Sequence, residues 1–180
     1  MILKKIKLVT DFDKLINADY DQHYGSCISY QKREQKDLHS NFGIGFPASY
    51  HEDNTRIQQL WWSDEEIDYQ NLGEQLSMEV VTVSTILQPP GNVVTLHRDT
   101  FFKINQMFPE DNRIKVRANI YLEKWKIGHF LQYGDGIEWY THTHWNQGEG
   151  WLWDNKPLHL SANAGLLPKY TLQVSGFLNE

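Results

Sequence analysis

Short segments with a β-strand pattern dominate the chain from Met78 onward, and they constrain the fold more than any other feature. Beginning with MEVVTVSTIL, a run of roughly seven or eight such segments follows at short spacings, separated by Gly, Pro, Asn and Asp. β-Branched and aromatic residues favour strands, and the separating residues favour turns. The segments MEVVTVSTIL and VVTLHRDTF flank QPPGN and predict a hairpin-like pair. Strands at this density predict a closed β-barrel or a double-sheet jelly roll.

The first 77 residues have a mixed pattern, which predicts helices and loops. A short strand is predicted at residues 5–10 and a helix at residues 13–20. A second helix is predicted from Ser63, where Ser63-Asp64-Glu65-Glu66 matches a capping box. A chain of 180 residues suits a single domain. We therefore expect a mainly β (α+β) domain spanning 1–180, with its β core at 78–178 and the N-terminal helices packed on the outside.

Composition and charge argue against several classes of protein. The chain carries 17 Lys and Arg against 23 Asp and Glu, a net charge of −6, whereas nucleic-acid-binding proteins usually present a basic surface. Cys27 is the only cysteine, which excludes an intramolecular disulfide and a cysteine-based zinc site. No segment has the pattern of a secretory signal or a membrane span. The expectation is a cytoplasmic protein that binds neither nucleic acid nor membrane.

Polar residues share one face of three predicted strands. Side chains two residues apart point to the same side of a strand, so each strand collects its polar residues opposite an apolar face. A solvated sheet surface is the ordinary explanation for one such strand. A polar cavity inside a barrel explains all three together. These in-phase residues are Thr95, His97 and Asp99 on one strand, Arg117, Asn119 and Tyr121 on a second, and Lys169, Thr171 and Gln173 on a third.

A His-x-Asp pair, His97 and Asp99, places an imidazole and a carboxylate on one face of a strand. The pattern alone is weak, because about one such match is expected by chance in a chain of this composition. A second match, His51-Glu52-Asp53, lies in a polar run that indicates a loop leading into a helix. His159 in PLHLSANAG supplies a third ligand from a different strand. Two His and one carboxylate are typical of non-haem Fe(II) oxygenases, and zinc enzymes use the same ligand types.

The sequence that follows His159 makes this pattern specific. Lys169 lies ten residues after His159, and Thr171 lies two residues further on. HRD, then a distal His, then a basic residue and a hydroxyl residue resemble the 2-oxoglutarate-dependent oxygenase superfamily. Within it, GEGWLWDNKPLHLSANAGLLPKYTLQVSGF is similar to the aspartyl/asparaginyl β-hydroxylase-like branch. The resemblance covers roughly residues 78–178.

This resemblance implies a fold and a role for individual residues. The implied fold is a double-stranded β-helix, a jelly-roll or cupin-like barrel. His97, Asp99 and His159 would bind Fe(II) and carry the catalysis, with 2-oxoglutarate as cosubstrate. The implied cosubstrate-binding residues are Lys169 and Thr171 at the distal carboxylate, Arg117 on the strand near the metal-bound carboxylate, and Asn119 where the branch often has His.

Two positions depart from the usual pattern of that branch. Lys169 stands where an Arg is usual, which keeps anion binding but constrains its geometry less. Some members lack the Asp that this chain has at Asp99, and its presence favours hydroxylation over halogenation. The implied activity is a dioxygenase that uses O2 to hydroxylate an amino-acid or peptide side chain, in a small-molecule, peptide or protein substrate, with release of succinate and CO2. Two alternatives stay open: a cupin-like metalloenzyme that does not use 2-oxoglutarate, and a non-catalytic barrel that binds a small molecule.

Aromatic residues are dense, and core packing is the ordinary role of most of them. Trp61, Trp62 and the Trp-rich segment 139–153 are nevertheless candidates for an apolar wall of the substrate site. The loop FKINQMFPEDNR is a candidate cover for it.

The remaining histidines are secondary candidates. His142 and His144 share a face of THTHW and form a rival pair, although surface or packed positions are the commoner outcome for such residues. His129 is a candidate for the cavity lining. His23 and His39 lie in polar stretches and are predicted to be solvated.

Overall fold

Two antiparallel β-sheets form the centre of the computed structural model, which describes residues 1–20, 24–26, 35–41 and 50–179. His23 and Cys27 lie outside the described residues. No helix within these ranges is long and apolar enough to cross a membrane. The helices described are α1 (Phe12–Ile16), α2 (Lys36–Asn41), α3 (Tyr69–Leu76) and α4 (Phe102–Met107), with a 3-10 turn at Glu52–Asn54. The strands are β1 (Leu3–Lys7), β2 (Tyr24–Ser26), β3 (Arg56–Trp62), β4 (Met78–Gln88), β5 (Asn92–His97), β6 (Lys115–Tyr121), β7 (His129–Gly134), β8 (Trp139–His142), β9 (Glu149–Trp153), β10 (Leu158–Asn163) and β11 (Lys169–Leu178).

The chain passes back and forth between the two sheets. The larger sheet has seven strands in the order β1-β9-β6-β11-β4-β3-β2, and the smaller has four in the order β5-β10-β7-β8. From β4 to β11 every connection changes sheet except the one between β7 and β8. This alternation is that of a double-stranded β-helix, so the predicted jelly-roll architecture is confirmed.

The hairpin predicted for β4 and β5 is wrong, because the two strands lie in different sheets. β4 pairs with β11 along one edge and with β3 along the other, so it has no free edge for β5. The turn Pro89-Pro90-Gly91 instead carries the chain to the smaller sheet, where β5 pairs with β10. Gly91 has a φ of 77°, a left-handed conformation that glycine adopts without a Cβ clash.

The N-terminal residues extend the larger sheet and cover its outer face. β1 pairs with β9 at one end of this sheet, and β3 pairs with β4 near the other. Leu15 of α1 and Leu72 and Leu76 of α3 are buried in one apolar cluster with Ala118 and Leu172 of the larger sheet. The prediction that N-terminal helices pack on the outside of the barrel is therefore confirmed.

The second predicted helix begins later than its capping motif indicates. The backbone N–H of Ser63 donates to Glu66 Oε2 at 2.8 Å, so the predicted capping contact forms. α3 nevertheless begins at Tyr69, after Asp68, whose side chain accepts from the Asn71 N–H at 2.9 Å. Asp68 has an extended ψ of 99°, which interrupts the turn that starts at Ser63. Two competing caps thus separate a single turn from the helix.

Candidate metal and cosubstrate site

A cavity of about 330 Å³ lies between the two sheets and receives the polar faces of three strands. The smaller sheet and the residues just after β5 contribute the two histidines and the aspartate. β6 and β11 of the larger sheet contribute the residues opposite them. Of the in-phase polar residues, only Thr95 is buried outside the cavity lining. Those that line it are His97, Asp99, Arg117, Asn119, Tyr121, Lys169, Thr171 and Gln173.

His97, Asp99 and His159 form a cluster with the composition of a metal site. His97 ends β5 and lies directly opposite His159 of β10 in the strand register, with ring centroids 4.1 Å apart. Asp99 follows two residues after His97, and its Oδ2 lies 3.9 Å from His159 Nε2. One ligand atom from each of the three residues lies within 4.8 Å of the other two. All three residues are buried, and theirs is the one such cluster within the described residues.

Backbone carbonyls fix the tautomer of both histidines. His97 Nδ1 donates to the Thr95 carbonyl at 2.7 Å, and His159 Nδ1 donates to the Pro157 carbonyl at 3.3 Å. With the proton on Nδ1, the lone pair of a neutral imidazole lies on Nε2, where a metal would bind. Burial lowers the pKa of His97 to about 3 and also lowers the pKa of His159. Both rings are therefore neutral near pH 7, the protonation state that a metal ligand requires.

Asp99 is held from two sides. Burial by itself would raise its pKa, but the Arg117 guanidinium and the hydrogen bond from Trp153 lower it, so the carboxyl is ionised. Arg117 forms an ion pair with Asp99 Oδ1, and the indole N–H of Trp153 donates to Asp99 Oδ2 at 2.7 Å. Arg117 Nε in turn donates to Ser175 Oγ at 2.9 Å. These contacts orient the carboxylate toward the histidines.

Lys169 is a buried cation without an ionic partner. Its side chain has only 3% exposure, and no carboxylate of the described residues lies within ion-pair distance of it. Nζ donates to the Phe130 carbonyl at 3.0 Å and to Ser161 Oγ at 2.5 Å. Burial lowers the pKa of Lys169 to about 7. An anion that entered the cavity would offset the cost of burying this ammonium group.

Asn119 presents a buried donor that the described residues leave unsatisfied. Its Oδ1 accepts from Gln173 Nε2 at 3.0 Å, so Nδ2 is the remaining polar atom of this side chain. Nδ2 is buried and has no hydrogen-bond partner in the part of the chain that the structure describes. Such a donor costs roughly 1–3 kcal/mol, and a ligand with an acceptor oxygen would satisfy it.

The aromatic and loop candidates separate into two groups. Trp61 lines the cavity, whereas Trp62 faces the outer core and donates from Nε1 to Thr85 Oγ1 at 2.9 Å. The assignment of Trp62 to the substrate wall is therefore wrong, because adjacent strand residues point to opposite faces. Trp153 lines the cavity, but the other tryptophans of segment 139–153 do not. The predicted cover forms α4 in part, and its residues Phe102 and Lys103 lie at the cavity.

Four further histidines of the described residues pack or hydrogen-bond outside the cavity lining. His142 Nδ1 accepts from the indole N–H of Trp151 at 3.0 Å, and His144 stacks on Trp125. His129 is buried and donates to the Leu167 carbonyl at 3.0 Å, outside the cavity lining. The prediction that His39 is solvated is wrong: it is buried, and its Nε2 donates to the Leu96 carbonyl at 2.7 Å.

Two further residues, and one contact of a third, complete the site beyond the predicted set. Ser161 accepts a hydrogen bond from Lys169, and Ser175 accepts one from Arg117. Each serine lies two residues after a predicted cavity residue on the same strand and therefore on the same face. The same alternation therefore contained the signal for both serines. Trp153 belongs to the segment predicted for the apolar wall and lines the cavity. Its hydrogen bond to Asp99 gave no signal in the sequence, because a buried tryptophan is equally typical of a core.

Asp53 and His51 of the second His-x-Asp match lie on the surface, away from the cavity. Their side chains have 77% and 59% exposure, and His51 Nδ1 lies 3.9 Å from Asp53 Oδ2. Neither residue lines the cavity. A 3-10 turn, not an α-helix, follows His51.

A search of solved structures finds proteins with the same architecture, while neither protein-family models nor curated proteins give a match. The non-heme alpha-ketoglutarate-dependent carbocyclase SnoK from nogalamycin biosynthesis aligns with a TM-score of 0.57 and 9% identity, over 98% of this chain and 79% of that chain. A prolyl-4-hydroxylase of Pseudomonas putida aligns with a TM-score of 0.52 and 16% identity, over 97% and 92% of the two chains. The epimerase SnoN, also alpha-ketoglutarate-dependent and from nogalamycin biosynthesis, gives a TM-score of 0.52 and 10% identity, over 93% and 82%. At these identities the likeness concerns the fold, and the chain has the double-stranded β-helix fold that these three structures share.

Proposed function

We propose that this protein is an Fe(II)- and 2-oxoglutarate-dependent oxygenase. One observation carries the proposal: a His-Asp-His cluster with two neutral imidazoles lies in the same cavity as a buried lysine that has no ionic partner among the described residues. The cluster alone would suit several metalloenzymes. A cosubstrate with a metal-chelating end and a free carboxylate at its other end explains why Lys169 accompanies it.

The donor set fits a ferrous ion. His97 and His159 would bind it through Nε2 and Asp99 through a carboxylate oxygen, a combination that leaves positions open for further ligands. Nδ1 of each histidine already donates its proton to a backbone carbonyl, so Nε2 is free of a proton and both rings have the tautomer that metal binding requires. Fe(II) in such a set supplies the activation of O2 and 2-oxoglutarate that drives oxidation of a C–H bond.

The opposite sheet fits the cosubstrate. Lys169 would bind the distal carboxylate of 2-oxoglutarate, with the hydroxyl of Thr171 two residues along the same strand as a second donor. The orphaned Nδ2 of Asn119 and the guanidinium of Arg117 lie on the adjacent strand, where they would meet the metal-proximal end. Each of these groups can donate a hydrogen bond, which matches a dianion rich in acceptor oxygens.

The protein's own part in the reaction is to orient and to exclude water. Trp153 and Arg117 hold the Asp99 carboxylate in place while the histidines remain neutral. Phe101 and Ile104 are buried beside the cavity and shield the cluster from bulk solvent. A dry cavity strengthens the charge interactions that Lys169 and Arg117 make with an anionic cosubstrate.

Hydroxylation of an amino-acid or peptide side chain, with release of succinate and CO2, is the reaction that we propose for this site. The support is the presence of Asp99, which occupies the carboxylate position, and the resemblance of the last strands to the aspartyl/asparaginyl β-hydroxylase-like branch. The carbocyclase and the epimerase among the similar structures have the same fold and are named for other reactions. The hydroxylase assignment therefore needs a direct product assay.

A succinate-release assay with Fe(II) and 2-oxoglutarate, run against free amino acids and peptides, tests this proposal. We expect succinate from the wild-type protein, and oxygen incorporation into one class of substrate by mass spectrometry. His159→Ala should abolish turnover, and Lys169→Met should raise the 2-oxoglutarate concentration needed for it. Metal-dependent turnover that ignores 2-oxoglutarate would instead identify a cupin-like metalloenzyme. Absence of both metal binding and turnover would leave a non-catalytic binding barrel.

A further inference from the structure

The charges that line the cavity are strongly one-sided. The chain as a whole is acidic, with 17 Lys and Arg against 23 Asp and Glu. Among the described residues that line the cavity, however, Asp99 is the single carboxylate. It faces four cations, namely Arg98, Lys103, Arg117 and Lys169. The excess persists in the loaded enzyme, because the charges of a ferrous dication and of a 2-oxoglutarate dianion cancel.

Two of these cations have no assignment in the proposed cosubstrate site. Arg117 forms an ion pair with Asp99, and Lys169 is the proposed partner of the distal carboxylate. Arg98 and Lys103 remain: Arg98 directly follows β5, and Lys103 lies in the first turn of α4, where both line the cavity. Both are exposed, and neither forms an ion pair within the described residues.

Arg98 uses only the Nε of its guanidinium in hydrogen bonds to the described residues. Its Nε donates to the Lys156 carbonyl at 3.0 Å, which fixes the direction of the side chain. Its two terminal nitrogens form no hydrogen bond with any described residue. A planar guanidinium with both ends free matches the geometry of a carboxylate or phosphate group.

Lys103 lies over an exposed aromatic ring at the cavity entrance. Its Nζ is 3.4 Å from the ring centroid of Trp61, a cation–π contact that positions the ammonium group. Trp61 has 43% exposure and Phe102 has 55%, unusually high values for large apolar side chains at a cavity entrance. The entrance thus combines a fixed positive charge with apolar surface.

We propose that the substrate is an anion with an apolar body, whose carboxylate or phosphate group binds Arg98 and Lys103 while the body contacts Trp61 and Phe102. The identity of the reaction rests on the proposed function, but the binding of the anion does not. An amino acid or a peptide with a free carboxylate has this chemistry. Charge at the entrance also draws such molecules toward the metal cluster.

Calorimetric titration of the purified protein with neutral and anionic probes tests this proposal. The probes are benzoate, phenylacetate and 3-phenylpropionate, each paired with its uncharged amide, together with phenyl phosphate. We expect at least one acid to bind on the order of tenfold more tightly than its amide, as for a charge-assisted hydrogen bond. Preference for phenyl phosphate over all three acids would identify a phosphate group as the anion.

Variants locate the preference within the cavity. The double variant Arg98→Gln/Lys103→Met should remove the preference for acid over amide and leave amide binding unchanged. Lys124→Met, a matched control on an exposed loop outside the cavity, should leave both unchanged.

Two outcomes would overturn the proposal: no acid binds better than its amide, or the double variant retains the preference. The succinate assay is read separately, so the two proposals can fail independently. Succinate release without a charge preference would leave the oxygenase and reject the anionic substrate. A charge preference located at Arg98 and Lys103, without succinate release, would retain the anion site and reject the oxygenase.

Discussion

The two faces of strands β6 and β11 have opposite chemistry. On the outer face, Ala118, Ile120, Leu172 and Val174 have no exposure to solvent and pack against helices. On the inner face, the same strands present an orphaned amide, an arginine and a buried lysine to a cavity. Burying apolar surface stabilises the fold, whereas burying unpaired donors and charges opposes it. The outer face is therefore explained by folding, and the inner face by a ligand.

Loss of a metal ligand from the cavity should have the largest effect. His159→Ala removes one of three ligands, and we expect Fe(II) affinity to fall by more than about a hundredfold, beyond the loss typical of residues that merely support ligands. Anaerobic equilibrium dialysis measures this affinity. His142→Ala is the matched control, since His142 packs among aromatic rings away from the cluster. Equal Fe(II) binding by wild type and His159→Ala would contradict the ligand assignment.

Truncation on the outer face should affect stability and not ligand binding. Leu172→Ala removes a fully buried side chain, and we expect the free energy of unfolding to fall by about 2–5 kcal/mol. Chemical denaturation measures this loss. Leu166→Ala, at a position with 93% exposure, should change stability by less than about 0.5 kcal/mol. A large loss of 2-oxoglutarate affinity in folded Leu172→Ala would contradict the assignment of stability to the outer face and ligand binding to the inner face.

Replacement of Lys169, on the inner face, should weaken ligand binding without lowering stability. Lys169→Met removes a charged partner of the cosubstrate, and we expect 2-oxoglutarate binding to weaken by about 1.5–3 kcal/mol, the range for hydrogen bonds to charged groups. Stability near pH 7 and below should not fall, because a buried ammonium is exchanged for an apolar chain of similar length. Calorimetry and thermal unfolding measure the two quantities. A clear loss of stability with unchanged binding would make Lys169 a structural residue.

The pKa of Lys169 predicts a pH dependence with a definite sign. Burial lowers this pKa from 10.5 to about 7 in the folded protein. Above pH 7 the free protein loses the ammonium proton, so 2-oxoglutarate affinity should decline as pH rises, by up to about 1.4 kcal/mol per pH unit. Between about pH 7 and 10.5 the unfolded chain binds more protons at this residue, so its contribution to stability should rise with pH. Lys169→Met should abolish both the decline of 2-oxoglutarate affinity with pH and the rise of stability with pH. If either pH dependence persists in the variant, it arises from another titratable group.

The alternation of polar and apolar residues along the strands predicted much of the difference between the inner and outer faces. In-phase polar residues predicted the cavity, and a third histidine on another strand predicted the cluster. Strand order was harder: β4 and β5 are joined by a short turn, yet β4 has both edges taken by strands distant in sequence. A turn motif reports local geometry and carries no information about which edge a distant strand occupies.

Contacts that depend on tertiary packing were also beyond the sequence. His39 lies in a polar stretch, but its ring reaches the carbonyl of Leu96, next to the ligand His97. The ion pair between Arg117 and Asp99 joins the two sheets, and no spacing along the chain encodes it. Trp61 and Trp62 could have been separated by strand alternation, because one faces the cavity and the other the outer core.

A crystal structure with Mn(II) and 2-oxoglutarate tests most directly whether the inner face is a metal and cosubstrate site. We expect one anomalous-scattering peak bonded to His97 Nε2, Asp99 and His159 Nε2, with the distal carboxylate of 2-oxoglutarate at Lys169 Nζ. A metal bound elsewhere, or an occupied cluster with 2-oxoglutarate absent from Lys169, would contradict the account.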